Sequence, residues 1–129
     1  MSTLEFDRGR STLTLRARDG SESGTWTAFN NVDHHARGPW PPGEYGFEVW
    51  NTHADDSPDS AYGSFGIAVF NVPDREGMGV HSGRAAMNDG LGRCGPEHCT
   101  MGCIRTSDEA MRAIRNVHAA DPLRRISVS

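Results

Sequence analysis

Two side chains in this sequence combine a reactive type with a setting that could support covalent chemistry. Cys103 lies in the run Thr100-Met101-Gly102-Cys103-Ile104-Arg105, and His81 lies upstream in Gly79-Val80-His81-Ser82-Gly83. The thiolate is the nucleophilic form of cysteine, and a nearby imidazole generates it. Glycine puts no side chain in the way of a substrate and leaves backbone N–H groups open to an oxyanion. Together the two segments point to cysteine-dependent acyl transfer. Each residue also has an ordinary reading: a buried cysteine is often a small apolar side chain, and a lone histidine a satisfied polar one.

His81 and Cys103 are far apart in sequence, so the loop between them must fold back if they are to meet. Neighbouring short strands would achieve this. Period-two alternation then puts Gly79, His81 and Gly83 on one face, and Cys103 with Arg105 on one face. An arginine beside the nucleophile suits a substrate carboxylate, which a planar guanidinium grips with two bonds. Thr106 and Glu109 have the spacing of a capping box, with Thr106 as N-cap. Ala110, Met111, Ala113, Ile114 and Val117 then recur at helical spacing to about Ala119, and Asp121-Pro122 stops the helix. Cys103 would therefore sit just upstream of a helix N-terminus, whose partial positive charge favours thiolate.

Before this region the pattern is β. Residues 3–7 and 12–18 alternate around a turn at Arg8-Gly9-Arg10. A third strand is expected over 25–30, a fourth over 44–53, a buried one over 65–72, and a closing strand over 123–128. Residues 83–99 are rich in Gly, Asn, Asp and Pro, which marks a long functional loop. The expected fold is mainly β, a compact twisted sandwich or barrel with one amphipathic helix, with residues 1–129 forming a single domain.

Bulk properties narrow the function classes. Hydrophobic content is 36% and mean hydropathy −0.59, and no apolar run approaches the roughly 20 residues that span a bilayer; membrane insertion is not expected. The net charge of −4 is spread among interspersed acids and bases, with no basic stripe for nucleic acid. The start Met1-Ser2-Thr3-Leu4-Glu5-Phe6-Asp7 lacks the basic and apolar regions of a signal peptide, so export would use another route or a leader lost from the chain.

The three cysteines allow one disulfide plus one free thiol, with Cys94 and Cys99 bridged across a short loop, or three reduced thiols. Cys94, His98, Cys99 and Cys103 also supply zinc-type ligands. That second reading makes an awkward pair of adjacent His98 and Cys99 and leaves Gly102 and Arg105 without a role. His34-His35 reads as a solvated loop, and His53 and His118 as surface residues. The tryptophans read as core or rim packing, with Trp40 able to line a groove. The acidic run Asp55-Asp56-Ser57-Pro58-Asp59 fits no EF-hand loop.

His-Ser-Gly, a loop, then Thr-x-Gly-Cys-Ile-Arg resembles the signature of the L,D-transpeptidase catalytic domain. Gly38-Pro39-Trp40-Pro41-Pro42-Gly43-Glu44-Tyr45 is similar to a strand entry in that superfamily. The resemblance spans most of the chain and is particularly close to the small, leaderless effectors of type VI secretion. Met101 stands where the family often has histidine, and the spacer between His81 and Thr100 is slightly long. The resemblance implies Cys103 as nucleophile, His81 as base, and the backbone carbonyl of Ser82 as the group orienting the imidazole. It implies an oxyanion hole at the amides of Gly102 and Cys103, support from Thr100, and Arg105 stabilising the site or holding a substrate carboxylate. The substrate would be a peptidoglycan stem tetrapeptide, with no cofactor. The protein would be an L,D-carboxypeptidase or L,D-transpeptidase, a secreted antibacterial effector with an immunity protein as partner, made in the cytoplasm and acting in a bacterial periplasm. A non-catalytic cell-wall-binding module is the remaining alternative, against which intact His81 and Cys103 argue.

Overall fold

In the computed structural model, which describes residues 1–33 and 37–129, eight strands form one curled sheet that curves as a half-barrel. The elements are β1 (Ser2–Asp7), β2 (Thr12–Arg16), β3 (Glu22–Thr27), β4 (Gly43–Asn51), β5 (Ile67–Phe70), β6 (Gly79–His81), β7 (Ile104–Arg105), α1 (Asp108–Ala120) and β8 (Leu123–Val128). Their order across the sheet is β3-β2-β1-β8-β4-β5-β6-β7. The long strand β4 joins the two halves: its first residues pair with β8 and its last with β5, with a bulge between Phe47 and Val49. A bulge adds local twist, which is how a continuous sheet turns a corner.

In the first hairpin the alternation read from sequence is the alternation seen, whereas the third strand, expected over 25–30, is Glu22–Thr27. Leu4, Phe6, Leu13 and Leu15 point inward from the first hairpin and are fully buried. Ala110, Met111 and Ile114 bring the apolar stripe of α1 onto the same core, with Tyr45, Phe70, Val80, Leu123 and Ile126. The helix starts one residue later than the capping box suggests. Ser107 is the N-cap, its hydroxyl accepting from the Ala110 amide at 3.1 Å. Thr106 is buried, and its hydroxyl is spent on the Thr27 carbonyl at 2.8 Å. Asp121 closes the helix as expected.

Trp40 is wholly buried, edge-on to Tyr45 and Phe70, so it belongs to the core and lines no groove. His118 is half-buried. It stacks on Trp50, packs on Phe47, and its Nδ1 accepts from the Leu123 amide at 2.9 Å, tying the helix end to β8. The reading of His34-His35 falls outside the described residues.

Candidate active site

Strands β6 and β7 are parallel neighbours, and this brings the distant histidine and cysteine together. Val80 stands opposite Ile104 and His81 opposite Arg105. Cys103, two residues before Arg105, lies on the face that carries His81. Both side chains are buried and line one cavity of about 320 Å³, with Tyr62, His98, Thr100 and Arg105 among its walls.

Cys103 sits on a turn held from behind. Segment 29–33 runs along the outer edge of 100–105, with bridges Phe29–Arg105 and Val32–Thr100. Asn30 donates from Nδ2 to the carbonyls of Gly102 (2.9 Å) and Cys103 (3.1 Å), and its Oδ1 accepts from the Trp40 amide at 2.8 Å. The Trp40 indole N–H donates to Gly102 O at 2.7 Å. Thr100 donates its hydroxyl to Cys103 O at 2.7 Å and accepts from the Gly102 amide at 3.1 Å. The Gly102 N–H is therefore already engaged, and in this arrangement it does not face an oxyanion. Gly102 is needed for its backbone: φ is +144°, and an added Cβ would stand 2.8 Å from Met78 Sδ.

His81 Nδ1 lies 2.7 Å from the Ser82 carbonyl. A carbonyl only accepts, so Nδ1 carries the hydrogen and Nε2 keeps the lone pair that a base requires. Burial pushes His81 down to about 4, with the nearby Arg105 cation acting in the same sense and the Ser82 bond opposing. Burial pushes the Cys103 thiol up, against the Gly79 amide and Arg105, which favour thiolate. Near neutrality the pair is a neutral thiol beside a neutral imidazole.

Ser82 is itself anchored. Its hydroxyl donates to Asp108 Oδ1 at 2.5 Å, and Asp108 also accepts from the amide and hydroxyl of Ser64. The loop carrying Ser64 crosses close over Gly83, where an added Cβ would come within 2.3 Å of Ser60 O, and φ is +109°. Gly83 thus serves a close backbone crossing that seats Tyr62 edge-on to His81, ring centroids 5.1 Å apart. His53 is exposed, as read from sequence, and stacks on Tyr62 at 4.6 Å.

Arg105 is buried, and its fork is directed at backbone. Nε donates to Ser82 O (3.2 Å), Nη1 to the carbonyls of His98 and Cys99 (2.9 Å each), and Nη2 to Ala61 O (2.9 Å). It pairs with neither Asp108 nor Glu109, and these bonds leave little of the guanidinium for a substrate carboxylate. Its place is to hold the Ser82 carbonyl, the His98–Cys99 segment and the 57–64 loop around the site. Burial lowers it to about 10 without removing its charge near neutrality.

The loop after Gly83 is organised by one carboxylate. Asp89 accepts from the amides of Leu91, Arg93 and Cys99 and pairs with the Arg93 guanidinium at 2.6 Å. Burial would raise its pKa; these bonds outweigh that and bring it to about 2. Cys94 and Cys99 are free thiols, so the bridge considered from their spacing is not formed. Cys94, His98, Cys99 and Cys103 do not converge as a zinc site either: among the described residues no group of three or more His, Cys, Asp or Glu could hold a metal ion.

Asn30 and Asp108 were not singled out by sequence. Asp108 was visible only as the middle of a capping box, and nothing local marks Asn30.

No protein-family model matches the chain, and no curated protein matches it. Solved structures do. The chain is similar to Bd1075 of Bdellovibrio bacteriovorus, at 14% identity and TM-score 0.70, over 99% of this chain and 47% of that one. It is similar to the L,D-transpeptidase Yku of Stackebrandtia nassauensis, at 15% identity and TM-score 0.62, over 99% and 55%. It is also similar to an L,D-transpeptidase of Xylanimonas cellulosilytica, at 18% identity and TM-score 0.57, over 99% and 60%. The fold is thus that of L,D-transpeptidase catalytic domains, and the chain spans roughly half the length of these structures.

Proposed function

We propose that this chain is a cysteine-dependent acyl-transfer enzyme acting on peptidoglycan stem peptides, as an L,D-carboxypeptidase, an L,D-transpeptidase, or both. The observation that carries the reading is the pairing of β6 with β7, which seats His81 and Cys103 in one cavity while the Ser82 carbonyl holds the imidazole with Nε2 basic. The L,D-transpeptidase fold supports the substrate class.

In this mechanism His81 Nε2 takes the Cys103 proton as sulfur attacks the carbonyl of the third stem residue. The amide of Cys103 steadies the oxyanion, and the Arg105 cation lowers the cost of negative charge on sulfur and oxygen. The imidazolium returns its proton to the departing D-amino acid amine, leaving a thioester. Water resolves the thioester to give hydrolysis, and an amine resolves it to give exchange or cross-linking. Because the resting pair is neutral, proton transfer accompanies attack instead of preceding it. Thr100 supports the nucleophile turn, and Gly102 permits its backbone.

The biological setting we propose is that of a secreted antibacterial effector of type VI secretion, active in a target periplasm and neutralised at home by an immunity protein. The resemblance of its motifs to such effectors supports this.

The test is incubation with disaccharide tetrapeptide, with and without free D-amino acids, followed by mass analysis. Loss of terminal D-alanine or its exchange is expected, and Cys103→Ala should abolish both while keeping the fold. Turnover retained by Cys103→Ala would sink the proposal.

A further inference from the structure

The cavity that holds His81 and Cys103 has a second cation on its wall. Arg84 lines it together with Arg105, and among the described residues Asp33 is the one carboxylate that does. The guanidinium of Arg105 is engaged by four backbone carbonyls. That of Arg84 is not. Its Nη1 donates to the Asp59 carbonyl at 3.2 Å and lies 3.5 Å from Met87 Sδ, while Nε and Nη2 bond to nothing among the described residues. Arg84 is also in no ion pair there. Nε and Nη2 form the side edge of the guanidinium, and a carboxylate takes two parallel bonds from such an edge.

The backbone fixes where this cation stands. The Arg84 amide donates to Ser60 O (3.2 Å), and its carbonyl accepts from the amides of Met87 (3.3 Å) and Gly95 (2.7 Å). These bonds hold φ at +55°, a left-handed conformation uncommon for a residue with a Cβ. Residues kept in such conformations need surroundings that over-determine them, and they gather at functional sites. The charge is also close to the site. After burial, Arg84 is the largest influence lowering Arg105.

A chain advances at most about 3.6 Å per residue, so a carboxylate one residue beyond an attacked carbonyl falls within the same cavity of about 320 Å³. We propose that Arg84 is a specificity-determining residue that binds the free terminal carboxylate of the stem peptide, one residue beyond the bond that Cys103 attacks. The enzyme then acts from the end of the stem: it takes stems whose last residue carries a free carboxylate and passes over those whose terminal carboxyl is joined in a cross-link. This deepens the reading above and rests on it for the bond attacked. The carboxylate-binding role suggested by the position of Arg105 in sequence falls to Arg84 in the fold.

Two measurements test this. In the active protein, kcat/KM is compared on disaccharide tetrapeptide, on the same compound with its terminal carboxyl amidated, and on a stem dimer joined through that carboxyl. The parent should prefer the free acid to the other two by roughly ten- to a hundredfold, the range expected of charge-assisted bonds. The acid-to-amide ratio should fall toward one in Arg84→Gln, which keeps a Cβ at the same φ. It should be partly restored in Arg84→Lys, which keeps the charge without the fork. A parent that treats acid and amide alike, or an Arg84→Gln protein that loses rate on both equally and so keeps the parent's ratio, overturns the proposal. In Cys103→Ala protein, calorimetric titration with the tetrapeptide and with its amide reads the same preference without turnover. A preference for the acid that disappears when Arg84→Gln is added upholds the carboxylate site, and equal binding of the two compounds overturns it. Absence of turnover on every stem peptide would overturn the acyl-transfer reading, and the titration would still decide the role of Arg84.

Discussion

Acidification should destabilise this protein through His81 before it reaches most of the carboxylates. The imidazole is about 2% exposed, and its pKa is lowered to about 4 in the folded chain against 6.5 in the unfolded one. A lowered folded pKa means that the unfolded state binds more protons between these values, so stability rises with pH across that window and falls as pH drops from 6.5 to 4. The loss attributable to this one group is about 3 kcal/mol at pH 4, from 1.36 kcal/mol per unit of pKa difference. That is a large share of the stability of an ordinary domain.

The measurement is urea unfolding at a series of pH values for the parent protein, His81→Gln and Cys103→Ala. Other groups titrate in the same range, so the quantity of interest is the difference between parent and His81→Gln. That difference should narrow by about 3 kcal/mol from pH 7 to pH 4. Cys103→Ala should keep the parent's slope, because burial is the first cause of the depression and the thiol is neutral. Parallel curves for parent and His81→Gln would refute the burial argument. Thiolate absorbance in the parent near neutrality, lost in Cys103→Ala, would show a resting imidazolium–thiolate pair and replace the neutral-pair mechanism; the two tautomers hold the same number of protons, so the stability slope alone does not separate them.

Three further outcomes follow from the same geometry. If His81 is the base proposed above, the acid limb of kcat/KM on a stem tetrapeptide should fall near pH 4 and not near 6.5, because burial lowers the imidazole to about 4. Asp108→Ala, which frees the Ser82 hydroxyl, should lower kcat more than KM and leave the Cys103 thiol present and titratable; a change in KM alone would contradict its role in positioning His81 through Ser82. Gly102→Ala forces a side chain into a positive-φ backbone against Met78, and should cost about 1–3 kcal/mol by thermal or urea unfolding; an unchanged midpoint would show that the turn relaxes freely.

The residues that could do chemistry were legible because reactive types are few and their neighbours are glycine. Alternation then placed His81 and Cys103 on matching faces, and β6 and β7 pair so that those faces coincide. The residues that hold them were not legible, and the reason is the nature of the partner. Asn30 and Trp40 bond Gly102 O across 72 and 62 positions, and Arg105 reaches Ala61 O across 44. Each acceptor is a backbone carbonyl, a group every residue has, so no residue type at the far end marks the contact. Arg105 illustrates the consequence. Beside a nucleophile, a guanidinium suggests a carboxylate, because side-chain types are all that a sequence displays. In the fold, the same guanidinium donates to four carbonyls, at the end of β6, in the 98–99 segment and in the 57–64 loop. A buried cation satisfied by neutral acceptors keeps its field, and that field falls on the Cys103 sulfur. In the proposed mechanism the arginine would therefore favour thiolate without touching substrate, and its structural bonds are what keep it close enough to do so.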